Sequence, residues 1–362
     1  MSRATLSRYI AGRTLRGIGL ALLIVTAVIA LVDYVEASRN IGADADLSPL
    51  QLVWLTILKI PKLIEQTIPF IVLFGVMGAL AGMNKRSELT VMRAAGLSAW
   101  RFLRPALIVT AIIGVVWATV VNPLSSRMMG AYDAKTATVL NKASTGEVWL
   151  REGSATRQRV IHAQSLDLIA KRLDAPVFYE MAIDRDGGTV FERRFDAASA
   201  SLTTAGFWTL TSVVENAPGA PAVRNGKISL PTNINLDDLR EQAGQRVDPP
   251  FWKIRSEIKA NERAGFSARQ LQLQFHKLLA LPLLLVAMTF IAAGVSMNLV
   301  RSGGTLKLLI MGAVLGFGVF FADSVVTAFG EVAVLPVIVA VWTVPLLVLL
   351  VGIIHLARIE DG

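Results

Sequence analysis

The chain has 362 residues and a mass of 39.0 kDa; 53% of the residues are apolar, 17% are charged, and the mean hydropathy is +0.54. A soluble domain carries about 25% charged residues, and here the shortfall falls in long uncharged runs, which excludes an ordinary soluble enzyme, a disordered chain and a disulfide scaffold. The absence of cysteine removes disulfides, Cys-based zinc sites and thiol catalysis together, and the net charge of +9 acquires its meaning from where the charges sit.

A membrane helix needs about 20 mostly apolar residues. In chain order the candidates are 18–35, 68–83 (with a possible start at Leu52), 102–121, 278–299, 308–329 and 336–356, six in all. In the second, Pro61 and Pro69 are read as breaks, so that Leu52–Ile60 lies at the interface. The first run is too long for a signal peptide and no small-residue cleavage site follows it, so it reads as an anchor. The short connections on one side carry twelve basic residues (Arg3, Arg8, Arg13, Arg16, Lys85, Arg86, Arg93, Arg101, Arg104, Arg301, Lys307, Arg358) against three acidic ones. Those on the other side carry three basic (Arg39, Lys59, Lys62) against six acidic, Asp33 and Glu36 among them. The positive-inside rule then places both termini in the cytoplasm and the 123–273 segment outside. That segment is nearly neutral, with 20 basic and 17 acidic residues, so the high pI is a topology signal and nucleic acid is not a partner.

The 84–104 connection is the informative loop. Ser87 stands where an N-cap is expected, Glu88 follows in the first turn, and Gly96 is a natural C′ stop. This predicts a helix of about eight residues, near 12 Å long, with Leu89 and Met92 on one face. So short a helix needs a surface to dock on. It is either an interfacial loop helix with snorkelling basic residues or a peg for a moving cytoplasmic partner.

Residues 146–232 read as short strands: Glu147–Arg151, Arg159–Ala163, Val177–Ile183, Val190–Asp196 and Phe207–Val214. The breaks are Gly153-Ser154, Asp186-Gly187-Gly188, Ala205-Gly206 and Pro218-Gly219. This is the pattern of a sandwich or roll. Trp149, Phe178, Phe195 and Trp208 are either its core or the lining of a groove for an apolar ligand. Pro250–Ala264 predicts an amphipathic helix, with Phe251, Ile254 and Ile258 on one face and Gly265 as its stop. The domains are therefore 1–122 with three spans and the loop helix near 87–96, 123–273 outside the membrane, and 274–362 with three more spans.

Enzyme chemistry finds no support. No Gly-x-x-x-x-Gly-Lys-[Ser/Thr] loop, Gly-x-Ser-x-Gly elbow or His-x-x-x-His spacing occurs, and His162, His276 and His355 are far apart. No cofactor or metal is expected, and ATP could be used only by a separate subunit. Asp323 lies inside the fifth span, where an ionisable group is costly. A hydrogen bond to a neighbouring helix or water suits a lone acid there better than a proton relay. Gly78–Gly82 and Gly312–Gly316 are small-xxx-small patterns that allow close helix contact.

Ser87-Glu88-Leu89-Thr90-Val91-Met92-Arg93-Ala94-Ala95-Gly96-Leu97-Ser98 closely resembles the signature of the lipopolysaccharide-export permeases of the LptF/LptG family. The six-span layout with one insertion agrees. So do Pro61-Lys62, Gly146-Glu147-Val148-Trp149, Lys277 to Pro282 and Trp342-Thr343-Val344-Pro345. Residues Gly316 to Asp323 are more similar to the LptG branch. The resemblance implies a bacterial inner-membrane permease with a periplasmic β-jellyroll. It also implies an LptF-like partner subunit, a dimer of the ATPase LptB, LptC, and lipopolysaccharide as cargo. By position, Glu88, Leu89, Met92 and Arg93 would contact LptB, and Arg39 and Lys62 would be the cations nearest the lipid A phosphates. No lysine stands in the outer part of the first span. The competing readings are a membrane-anchored periplasmic scaffold or sensor, and a proton-coupled carrier, which would need more buried ionisable groups.

Overall fold

The computed structural model describes residues 3–40, 48–140, 148–153, 157–167, 170–183, 189–203, 206–232, 234, 239, 249–263, 267–299 and 305–361. The predicted features at Gly146-Glu147, Ser154, Asp186-Gly187-Gly188, Ala205, Gly265 and Arg301 lie outside the described residues.

The helices are α1 (Arg3–Asn40), α2 (Pro49–Lys85), α3 (Glu88–Ala94), α4 (Ala99–Val116), a π-helical turn (Trp117–Val121), α5 (Asn122–Leu140), α6 (Phe251–Arg263), α7 (Arg269–Leu299), α8 (Thr305–Glu331) and α9 (Val337–Asp361). Among the described residues, six helical stretches are long and apolar enough to cross a membrane: Thr5–Arg39, Pro49–Lys85, Ala99–Thr136, Arg269–Met297, Leu306–Glu331 and Val337–Arg358. By alternation, the chain ends and α3 share one end of this bundle and the β domain occupies the other.

The second span differs from its prediction. Pro61 and Pro69 sit inside one continuous helix, and Leu52, Leu55 and Leu58 are buried. A proline removes a single ladder bond, and a helix packed on its neighbours tolerates that loss. Its N-terminal half runs beside α5, with Lys59 over the Tyr132 ring and Lys135 over Trp54. The third span also continues further than polarity suggested, through the π-helical turn and α5 to Leu140.

The bundle is built around α7, whose membrane window is 67% buried, whereas those of α1 and α8 are each only 11% buried. Close approaches occur at glycines. A Cβ on Gly17 would lie 2.3 Å from the Gly75 carbonyl oxygen, so α1 and α2 cross there with their backbones in contact. Gly114 receives the Pro282 backbone in the same way, joining α4 to α7. Of the two predicted small-residue patterns, Gly312 and Gly316 do admit Met77 and Leu73 of α2, while Gly78 and Gly82 face open space.

Among the described residues, the β domain is one antiparallel sheet of nine strands: β1 (Val148–Gly153), β2 (Arg157–Ala163), β3 (Ser165–Asp167), β4 (Arg172–Asp174), β5 (Val177–Ile183), β6 (Thr189–Asp196), β7 (Ser199–Thr203), β8 (Phe207–Asn216) and β9 (Val223–Pro231). The register of β2 with β5 continues into β3 with β4, and that of β5 with β6 into β4 with β7. β8 pairs with β6 through one half and with β7 through the other. The sheet is thus a meander of long strands, interrupted along one line at Gln164, Ala175-Pro176, Ala197-Ala198 and Ser212. Backbone bonds persist along that line, Ala175 N–H donating to Ala198 and Ala198 N–H to Thr211, each at 3.0 Å. Ala175 and Ser212 adopt φ of 45° and 53° there, a conformation costly for residues with a Cβ. The strands bend at this crease and the two half-sheets face one another. Phe178 and Phe195 from one half meet Trp208, Leu210, Leu173 and Ala200 from the other in a single core, with Phe178 edge-on to Trp208 at 6.1 Å. The result is a nearly closed, jellyroll-like domain.

Candidate functional site

Among the described residues, α3 at one end of the bundle and a cavity at the other combine exposure with organised polar groups.

α3 has seven residues. Its C-terminus follows the prediction: Gly96 adopts φ of 78°, with Gly96 N–H donating to Arg93 and Leu97 N–H to Met92. This is the Schellman arrangement, which needs a left-handed residue at Gly96. Its N-terminus does not. Ser87 itself is left-handed, φ 60°, and its hydroxyl makes no capping bond; its N–H closes a tight turn out of α2 on the Asn84 carbonyl, at 2.9 Å. Leu89 and Met92, only 4% and 9% exposed, plug into the helical core, while Val91 is 66% exposed. They hold the helix down, so the face turned outward is Thr90, Val91 and Arg93. Glu88 is also engaged within the chain: the Tyr9 hydroxyl donates to its carboxylate at 3.0 Å, and Arg13 lies 3.7 Å away.

The cavity, about 1020 Å³, opens among α2, α6, α7, α8 and α9 at the β-domain end. Its charged lining is three lysines, Lys62 of α2, Lys253 of α6 and Lys277 of α7, and four carboxylates, Glu65, Glu257, Asp323 and Glu331. Its floor is apolar, with Phe70, Leu281, Leu284, Met288 and Phe320. Lys62 is 3.6 Å from Glu65, and Glu65 accepts from the Asn122 amide at 3.1 Å. Asn122 in turn accepts from the Phe251 backbone N–H at 3.0 Å, which seats the start of α6. A second bond holds α6. Pro123 has no N–H to return to the Thr119 carbonyl, and the Trp252 indole N–H donates to it instead, at 3.0 Å. Lys253, Glu257 and Asn261, one helical turn apart, then form the α6 stripe that walls the cavity. The chamber thus combines a rim of mixed charge with an apolar floor.

The family model described as "Lipopolysaccharide export system permease LptF/LptG" matches residues 8–358. The chain belongs to that family. It is also similar to the lipopolysaccharide export system permease protein LptG of Haemophilus influenzae, with 34% identity over 118 residues. That stretch is 33% of this chain and 32% of that protein, so the match spans about a third of the relative's length.

Within this LptF/LptG-family chain the predicted site residues fall in three environments. Glu88, Leu89, Met92, Arg93 and Gly96 are brought together by α3. Lys62 lines the cavity; Arg39, in the last turn of α1, is exposed and does not. Of the groove candidates, Phe178, Phe195 and Trp208 are fully packed core. Trp149 points outward, 57% exposed, over the His162 ring at 4.3 Å. A charged row lies on the inner face of the β domain, at the edge away from the crease. Arg159 donates to Glu152, to Glu180 and to the Pro231 carbonyl, while the Thr232 hydroxyl donates to Glu152. Arg193 reaches Glu180 at 2.7 Å. Burial alone would push the Glu180 carboxyl up, but the hydrogen bonds and charges of Arg159 and then Arg193 outweigh it and hold it below the ordinary range. Sequence reading missed Lys253, Lys277 and this row. The alternation Glu152…Arg159…Glu180…Arg193, each two residues from a core position on its strand, was the signal available for the row.

Proposed function

We propose that this chain is the permease subunit of an ATP-driven transporter that extracts lipopolysaccharide from the bacterial inner membrane and passes it to a periplasmic bridge. On this reading α3 and both termini are cytoplasmic and the β domain is periplasmic, in accord with the charge asymmetry of the connections. Hydrolysis takes place on a separate ATPase, an LptB-like dimer, which docks on the outward face of α3. An LptF-like subunit completes the lipid path, and LptC joins the bridge. The observation that carries the proposal is the cavity, with lysines at its rim and an apolar floor. Phosphates on the cargo pair with Lys62 and Lys253 while acyl chains lie against Phe70, Leu281 and Phe320. A scaffold or sensor requires no such chamber in its membrane anchor.

The test is a photo-crosslinker at Gln66 in the assembled transporter, scored for lipopolysaccharide adducts. A charge-assisted contact contributes roughly 1.5–3 kcal/mol. Lys62→Glu should therefore cut the adduct at least tenfold while the complex still assembles. An unchanged adduct removes Lys62 from the site, and no adduct from Gln66 in the unaltered chain removes the cavity.

A further inference from the structure

α3 is too short to be stable by its own hydrogen bonds, and the usual device at its start is missing, since the Ser87 hydroxyl caps nothing. Leu89 and Met92 seat it on the core. They lie close to one line, about 60° apart around the helix, and a helix resting on one line is free to roll about it unless a further contact holds a flank. Glu88 supplies that contact. It flanks the buried pair on the side of the exposed Val91, about 60° from it around the helix. Both of its carboxylate oxygens are turned to α1: Oε2 accepts from the Tyr9 hydroxyl at 3.0 Å, and Oε1 lies 3.7 Å from the Arg13 guanidinium.

Arg13 Nε also donates to the Tyr9 hydroxyl, at 3.0 Å, and the guanidinium stands over the Tyr9 ring, 5.4 Å from its centre. An arginine only donates and a carboxylate only accepts, so the Tyr9 hydrogen is committed to Glu88 and one oxygen carries both bonds. Ile10 and Thr14, fully buried on the same stretch of α1, fix it in the bundle. We propose that Glu88 serves ATPase docking through α1 and not by touching the ATPase. Tyr9 and Arg13 hold its carboxylate, the carboxylate fixes the roll of α3, and the roll sets how Thr90, Val91 and Arg93 are presented. Glu88, Tyr9 and Arg13 are thus positioning residues. The Glu88 side chain, only 25% exposed, already spends both oxygens inside its own chain. The inference rests on the reading of α3 as the docking helix.

The test uses the assembled permease, with and without its ATPase. The chain has no cysteine, so spin labels at Val91→Cys/Arg358→Cys report the orientation of α3 by pulsed electron resonance, and ATPase affinity is measured on unlabelled chains. Tyr9→Phe removes one oxygen and leaves Glu88 in place. It should broaden the labelled distance distribution in the ATPase-free permease and weaken ATPase binding about fivefold. Glu88→Ala should do both to the same extent, and the double variant should bind no more weakly than either. The exchange Arg13→Glu/Glu88→Arg should bind better than Glu88→Arg alone; if it does not assemble, the comparison of Tyr9→Phe, Glu88→Ala and their double variant decides. Unaltered binding by Tyr9→Phe while Glu88→Ala is weakened, or losses that multiply in the double variant, overturn the brace and return Glu88 to direct contact. An exchange that assembles and binds no better than Glu88→Arg overturns it too. Val91→Glu/Arg93→Glu tests the underlying reading: unchanged affinity there removes α3 as the docking helix, whatever Tyr9→Phe does.

Discussion

Replacing Arg159 by leucine tests what keeps the β domain closed. The Arg159 guanidinium serves two glutamates whose side chains are only 5% and 4% exposed, Glu152 and Glu180, and it reaches the Pro231 carbonyl in the opposite half-sheet. Leucine would leave Glu180 to Arg193 and Glu152 to the Thr232 hydroxyl. Removing one partner of a buried ion pair costs about 3–5 kcal/mol, because a charge remains without compensation. The Arg172–Asp174 pair, at 2.8 Å with side chains 56% and 42% exposed, provides the comparison; Arg172→Leu should cost about 0–1 kcal/mol. At about 1.4 kcal/mol per factor of ten, Arg159→Leu should raise the opening constant of the domain by about two to three and a half orders of magnitude. Hydrogen exchange at the β2 and β5 amides of the full chain in detergent reads this directly. Exchange within tenfold of the unaltered chain, or equal to that of Arg172→Leu, would refute the assignment of the closing energy to Arg159. The acid response has a definite sign. Glu180 is held below its ordinary value of 4.5 in the folded domain, so its contribution is complete above that value and is lost as the pH falls through the folded pKa. Protection of β5 should therefore decline on acidification below about pH 4.5, and decline less steeply in Arg159→Leu.

Ser98 accepts from the Arg101 N–H at 3.3 Å as the cap of α4, so Ser98→Ala should lower stability by about 1 kcal/mol, whereas Ser87→Gly, at a left-handed residue with no cap to lose, should be neutral or stabilising in the same thermal melt. Gly17→Leu should force α1 and α2 apart, costing about 1–3 kcal/mol as overpacking does, and raise protease sensitivity of the α1–α2 connection; an unchanged melt would dismiss the backbone contact. Membrane-impermeant thiol labelling of Val91→Cys and Ser256→Cys should modify only the second in intact inner-membrane spheroplasts, and the reverse pattern would invert the topology.

Much of this architecture is dictated locally. An uncharged run of 20 residues has one low-energy arrangement in a bilayer, a helix with its own backbone bonds satisfied, so the six spans were legible without knowledge of their neighbours. Gly96 was legible as a helix stop for a similar reason: its left-handed φ is a property of one residue. Five strands could be read from alternation, and Phe207-Trp208-Thr209-Leu210 presents its faces as alternation requires, with Trp208 and Leu210 buried. β3, β4 and β7 escaped because they are short continuations across the crease. β9 escaped because its burial alternates weakly.

What tertiary structure decided lies in pairs far apart in sequence. Pro61 and Pro69 read as breaks because a proline's missing bond is a local fact, while the packing that outweighs it comes from α5 and α7. Leu89 and Met92 read as an apolar peg, but only the folded bundle shows that the surface they dock on is their own chain. Trp149 and Trp208 are both strand tryptophans, but Trp149 lies on the face opposite the buried Val148 and Leu150, whereas Trp208 packs edge-on to Phe178 from the other half-sheet, a contact made by the crease, where Ala175 and Ser212 take strained conformations that no propensity favours. Tyr9 and Glu88 are 79 residues apart, and Lys253 joins Lys62 and Lys277 at one rim because Asn122 and the Thr119 carbonyl seat α6 there. Periodicity and turn chemistry report each residue's preference for its own backbone. A cavity rim and a charged joint are made by residues whose preferences are satisfied anywhere on a surface, and the fold alone brings them together.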